Sequence, residues 1–238
     1  MNAVSVEDRA ASKHPAPERY RDDGRTLHAF LSAGCDVLCP ACGARGRVEY
    51  RQEDKSWRWS ARFRCGHCAC VADAPTSAWY GRRSLPDGIP WFGPVVASGS
   101  RACGACGHRW VTLERRLARI PAHAPSTIDA SCGRCGHSQP VAAHWWADAD
   151  IARGLEPFFG LSLAWREPCR NSREIWAFGP SHLAELKRYV LSTLRERGCA
   201  HNRSYFMRLP TWIKSAKHRD EVVAAIGRIE KRMRGGVG

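Results

Sequence analysis

An α+β fold is what this chain of 238 residues predicts: two tandem cysteine-pinned β-hairpin units, then a small basic α-helical region. Three observations lead there. Eight cysteines form four Cys-x-x-Cys pairs, aromatic and arginine residues alternate between the first two pairs, and apolar residues adopt helical spacing only in the last third. The expected organisation is a polar segment over 1–34, partly helical or disordered, and a first unit over 35–72. A proline- and aromatic-rich connector follows over 73–100, then a second unit over 101–146 and a basic helical region over 147–238.

Composition limits the class. Hydrophobic residues make up 44% and charged residues 25%, as in a folded globular chain. No window of roughly 18 to 20 residues is free of charge, so no membrane partner is expected. The first residues carry Glu7, Asp8, Lys13 and Glu18 and no apolar stretch of secretory type, so a cytoplasmic location is expected. In that reducing compartment paired cysteines read as metal ligands before disulfides.

The pairs are Cys39/Cys42, Cys65/Cys68, Cys103/Cys106 and Cys132/Cys135, with 22, then 34, then 25 residues between them. Short, long, short is the spacing of two consecutive four-thiolate sites, slightly longer than the usual 15 to 20 or so residues. Zinc needs four soft ligands in a tetrahedron, and a Cys-x-x-Cys turn can present two of them. Two structural zinc ions are therefore expected, with an iron–sulfur cluster and a redox or disulfide use as the weaker readings. Gly43, Gly107 and Gly136 each follow the second cysteine of a pair, where such a turn needs positive φ. The pair at Cys65 is followed by Ala69 and then Cys70, which competes with Cys68 as a ligand. Cys35, four residues before Cys39, is a substitute ligand for that site in a second reading; otherwise Cys35, Cys70, Cys169 and Cys199 are expected as buried or partly buried free thiols. His67, His108 and His137 stand beside the turns as local support rather than as ligands.

Within the first unit, Trp57, Trp59, Ala61 and Phe63 alternate with Arg58, Ser60, Arg62 and Arg64, the pattern of a half-buried strand. Val48 and Tyr50 belong to its partner, and Gln52 to Ser56 forms the turn. In the second unit Trp110, Leu113, Leu117 and Ile120 precede Pro121 and Pro125, and Ser126 to Ser131 returns as a strand. Both units read as zinc ribbons, a divergent duplication. Each has a small core, so metal should supply much of its folding free energy, on the order of 10 kcal/mol per site. The connector, with Pro75, Pro86, Pro90 and Pro94, is expected as ordered coil. Beyond Pro157, Ser181 is an expected N-cap for a helix with Leu183, Leu186, Val190 and Leu194 on one face, stopped at Gly198. Pro210 opens a short helix, and Arg219 to Met233 forms the last one, with Val222, Ile226, Ile229 and Met233 as its apolar stripe.

The paired ribbons, with FGLSLAWREPC, IWAF, HLAELKRYVLSTLRER and RLPTWIKSAKHRDEVVAAI, resemble a group of bacterial zinc-ribbon proteins labelled as TFIIB-type zinc-ribbon proteins, some of them under a replication-restart helicase label. The resemblance runs from residue 35 to the end. It implies architecture and carries no activity. The group places a Cys-Cys-Gly turn before the tryptophan of IWAF; here the segment reads PCRNSREIWAF with Cys169 alone, so a further metal site there is not implied.

No GxGxxG, GxxxxGK(S/T), HExxH or GxSxG occurs, which argues against helicase chemistry, and four-cysteine sites are closed; no enzymatic activity is expected. The chain has 37 Lys+Arg against 23 Asp+Glu, a formal charge of +14, and residues 181–238 hold 13 of the former and 5 of the latter. This charge favours nucleic acid, bound with little sequence preference, through Arg58, Arg62 and Arg64 on the hairpin and Lys214, Lys217, Lys231 and Arg232 at the carboxy end. The alternative is a protein-interaction adaptor.

Overall fold

The computed structural model describes residues 19–52, 58–78, 83–85, 88–149, 153–196 and 204–235. The first sheet has four antiparallel strands in the order β2-β3-β4-β5: Cys35–Leu38, Arg45–Gln52, Arg58–Cys65 and Val71–Ala78. The predicted alternation sets its two faces: Val48, Trp59, Ala61 and Phe63 are buried, while Arg58, Arg62 and Arg64 are exposed. Trp57 and most of the expected turn lie outside the described residues. β5 occupies the start of the stretch expected as coil. It is an edge strand, where exposed Pro75 removes no ladder hydrogen bond that a central strand would need.

The second unit departs from a simple hairpin. Its sheet runs β6-β11-β7-β8, with β6 at Ser84–Leu85, β7 at Val95–Arg101, β8 at Val111–Leu117 and β11 at His144–Ala147. β9 (Thr127–Ser131) pairs only with β10 (Ser138–Ala142), so no ladder joins β8 to β9 as β3 joins β4. The proline-rich segment between β8 and β9 is one reason, since Pro121 and Pro125 cannot donate to a ladder. Instead β10 lies across β7 at Gly99. A Cβ built there would stand 1.9 Å from the Ala142 carbonyl oxygen and 3.1 Å from Val141 Cγ1. Gly99→Ala is expected to cost on the order of 3 kcal/mol, read as a lower melting temperature, with fast amide exchange in β9 and β10 as its local signature.

The carboxy-terminal third is not all helix. β12 (Trp165–Pro168) and β13 (Glu174–Ala177) form a hairpin. Its turn at Arg170–Arg173 holds Asn171 and Ser172 at φ 57° and 55°, with Arg173 N–H donating to the Arg170 carbonyl, which is a type I′ turn. Helix α2 spans Pro180–Leu191 and begins after Gly179, not at a Ser181 cap, because Pro180 fits the first helical position. Leu194 leaves the helical face: Leu194–Glu196 is strand β14, parallel to β1 (Arg19–Arg21). Gly198 lies outside the described residues. α1 (Leu27–Leu31), α3 (Thr211–Lys214) and α4 (Arg219–Gly235) complete the elements used below, the last two as expected from Pro210 and the apolar stripe.

The two units are not equally self-sufficient. The inner face of the first sheet joins Phe159, Leu163, Phe178, Leu183 and Ile226 in one continuous core with the helices. The second unit has two small clusters, one of Leu85, Val95, Ala97, Trp145 and Ala147, the other of Cys103, Val111, Leu113, Cys132 and Val141. The expectation that each unit has a small core of its own is thus corrected for the first, which shares the main core, while the second has small clusters. No helix among the described residues is long and apolar enough to cross a membrane.

One carboxyl lies inside the main core. Glu156 is fully buried and accepts hydrogen bonds from Phe158 N (2.8 Å), Phe159 N (2.7 Å) and Tyr50 Oη (3.0 Å). Burial pushes its pKa from 4.5 up to about 7 against those donors. The native state therefore holds a proton that the unfolded chain has released over this window. Its contribution is intact below the unfolded value and is lost as pH rises through 7, by up to about 3 kcal/mol. The melting temperature should fall between pH 5 and pH 8, and Glu156→Gln should flatten that slope.

Candidate metal centres and cationic surfaces

The four Cys-x-x-Cys turns share one closing hydrogen bond. Cys39, Cys65, Cys103 and Cys132 each donate their backbone N–H to the carbonyl five residues on, at 2.8, 3.0, 2.8 and 2.9 Å. In three turns the following glycine donates back to the first cysteine's carbonyl, and Gly43, Gly107 and Gly136 have φ of 73°, 67° and 73°. The turn at Cys65 lacks that glycine. It keeps the N–H groups aimed at the first sulfur, those of His67 and Cys68 lying 3.3 and 3.4 Å from Cys65 Sγ.

These turns bring the thiols together as two sets, Cys39/Cys42/Cys65/Cys68 and Cys103/Cys106/Cys132/Cys135, each with all four Sγ atoms within 4.8 Å of one another. The close contacts are Cys39–Cys68 at 3.7 Å, Cys42–Cys65 at 3.6 Å, Cys103–Cys135 at 3.6 Å and Cys106–Cys132 at 3.8 Å. A tetrahedron with metal–sulfur bonds of about 2.3 Å has edges of about 3.8 Å, so the thiols stand where one four-coordinate ion needs them. A disulfide needs about 2.05 Å. Two possible four-cysteine metal sites are thus present, and neither includes a histidine.

Local electrostatics favour the thiolate at the first cysteine of each turn, whereas the pKa of Cys68 is raised and those of Cys42 and Cys135 are pushed up to about 12. The backbone N–H groups of Cys106 and Ala105 draw the Cys103 pKa down to about 6, and those of Arg134 and Cys135 lower that of Cys132. Hydrogen bonds to the charged form are the cause. Of the remaining cysteines, Cys35 is wholly buried in β2, where burial raises its pKa. Cys70 and Cys169 are partly buried and outside both sets, and Cys199 lies outside the described residues. The histidine rings take no part among the thiols; it is the His108 and His137 carbonyls and the His67 N–H that brace the turns.

One contributor escaped sequence reasoning. Buried Gln139 donates Nε2–H to the Ala102 carbonyl and accepts from Gly104 N–H, both at 2.8 Å, tying β10 to the turn at Cys103. Only its inward register in β10, alternating with exposed Ser138 and Pro140, could have revealed it.

The proposed nucleic-acid contacts fall into two surfaces of different kind. Arg58, Arg62 and Arg64 share the outer face of the first sheet with Arg45, Arg47 and Arg51, against Glu49, Asp73 and Asp36, the last paired with Arg47 at 2.8 Å. Arg47 lies directly across the ladder from Arg64, and Arg62 is opposite Glu49 and 3.3 Å from Asp73. Trp59, on the other face, is 5% exposed and unable to stack on a base. At the carboxy end Lys217 and Lys231 are exposed. Lys214 is partly buried and donates to the Met207 carbonyl at 3.1 Å. Arg232 and Arg228 both grip Glu167 of β12. Burial opposes ionisation of Glu167, yet these guanidiniums hold its carboxyl below the usual range. Arg232 is thus a packing contact between α4 and β12 as well as a surface cation.

No protein-family model, no curated protein and no solved structure matches this chain.

Proposed function

We propose that the protein is a zinc-ribbon protein in which each four-thiol cluster holds one structural zinc ion, and that it binds nucleic acid non-enzymatically through the arginine face of the first sheet. The near-tetrahedral thiol spacing carries the zinc reading. Four sulfurs in mutual reach suit a single soft ion, whereas the metals and sulfides of a multi-iron cluster hold their thiolates further apart. Four thiolates leave no open coordination position, so the ion's work is to fold the turns.

What supports nucleic acid is the outer face of the first sheet, with six arginines against three acids, Asp36, Glu49 and Asp73. Arg47 is already held by Asp36 at 2.8 Å, so the exposed Arg58, Arg62 and Arg64 beside it are the cations a phosphate backbone would engage. Contacts of this kind read charge, not sequence. A protein adaptor is the second reading, favoured by Leu38 at 41%, Val71 at 56% and Trp110 at 53% exposure beside the metal turns.

Elemental analysis should find two zinc ions per chain; one ion, or stoichiometric iron, overturns the metal assignment. Fluorescence anisotropy with single- and double-stranded oligonucleotides should show binding that weakens steeply from about 50 mM to 200 mM salt. No binding at the upper end of that range passes the function to the adaptor reading.

A further inference from the structure

A cavity elsewhere in the fold is lined by none of the residues of the metal turns. It measures about 850 Å³ and opens between the β12–β13 hairpin, the start of α1, one side of α2 and the segment from Tyr205 to Ile213. That is within the range of small-molecule sites, roughly 300 to 1,000 Å³. Its floor is apolar, with Ile175, Leu186, Leu209 and Ile213. Trp176, Trp212 and Tyr205 supply aromatic surface. Around these stand Arg153, Arg166, Arg173 and Arg208, with Glu174 as the one acid of the lining.

The four guanidiniums are not equivalent. Arg166 is neutralised by Glu174 through two bonds of 2.9 and 2.6 Å, and Arg153 faces Asp148 at 3.4 Å. Arg173 meets no carboxylate: it stands 3.3 Å from His218 Nε2 and lies over the Trp212 ring at 5.4 Å. Arg208 is exposed, and no hydrogen bond or ion pair engages its side chain among the described residues. His28, also in the lining, has its pKa lowered by burial and by the Arg208 charge, so it adds a neutral imidazole. Arg173 is delivered by the type I′ turn, whose Asn171 and Ser172 both hold the left-handed backbone that side chains disfavour.

Two guanidiniums not neutralised by a carboxylate among the described residues, beside two tryptophans and over an apolar floor, match a ligand with an anionic end and a flat aromatic body. We infer that this cavity binds a nucleoside phosphate, the phosphate between Arg173 and Arg208 and the base against the tryptophans. Arginine forks suit phosphate oxygens, and aromatic faces accept any base. The ligand chemistry is the same for a free nucleotide and for the 5′-phosphorylated end of a strand. The site shares no residue with the arginine face of the first sheet, so the two readings stand or fall separately.

Tryptophan fluorescence should be quenched on titration with AMP and at least ten-fold less effectively with adenosine or inorganic phosphate. Arg208→Gln should weaken AMP at least ten-fold with an unchanged melting temperature, since that side chain has no partner to lose. Arg64→Gln should leave AMP binding as it was. An oligonucleotide bearing a 5′-phosphate, compared with its 5′-hydroxyl form, separates the sources: preference for the phosphorylated strand over AMP assigns a strand end, and the reverse assigns the free nucleotide. The inference is overturned if neither AMP nor the phosphorylated strand binds, if adenosine matches AMP, or if Arg208→Gln leaves affinity unchanged.

Discussion

Cys132→Ser is expected to leave one metal ion per chain and to unfold the second unit, while the helices and the first sheet persist. The reason is the composition of its core. Cys103 and Cys132 are two of the five buried residues in the cluster nearest the second site. Loss of a ligand removes metal-binding free energy on the order of 10 kcal/mol, comparable to the whole stability of a typical domain. β8 and β9 have no ladder between them to resist separation. Cys39→Ser should also release one ion, but with a different result. The first sheet keeps the β3–β4 ladder and its burial against Phe159, Leu163 and Ile226. Amide exchange should then accelerate only around the turns at Cys39 and Cys65. Equal global unfolding in both variants would refute this asymmetry, and chelation followed by near-ultraviolet circular dichroism gives an independent check.

Replacing Arg58, Arg62 and Arg64 together by glutamine should lower nucleic-acid affinity about 100-fold at about 0.1 M salt. Each lost phosphate contact reduces the slope of log affinity against log salt by about 0.7 to 0.9, so three reduce it by about 2 to 3. Folding should be spared, because these side chains point away from the core. The same treatment of Lys217 and Lys231 tests the carboxy end without touching Arg232, whose loss would leave Glu167 to Arg228 alone and loosen α4 instead. An unchanged salt slope in the triple variant would remove the first sheet from the interface.

Local chemistry determined much of this protein from the sequence alone. The Cys-x-x-Cys spacing and the glycines after Cys42, Cys106 and Cys135 specify turns that need only their own residues, and the alternation from Arg58 to Arg64 specifies both faces of one strand. The stripe of Val222, Ile226 and Ile229 likewise identified the last helix. Partnership was decided only in three dimensions. Nothing in the repeated spacing told that β3 pairs with β4 while β8 avoids β9, because ladder formation depends on what each strand meets on its other edge. Two short strands with Pro168 at the end of one hid the β12–β13 hairpin, since too few alternations occur to show a period. The cavity was equally hidden. Thr26, Arg173, Leu186 and Arg208 lie far apart in the chain, and only the shared core, built by burying apolar surface from every segment, sets them around one space.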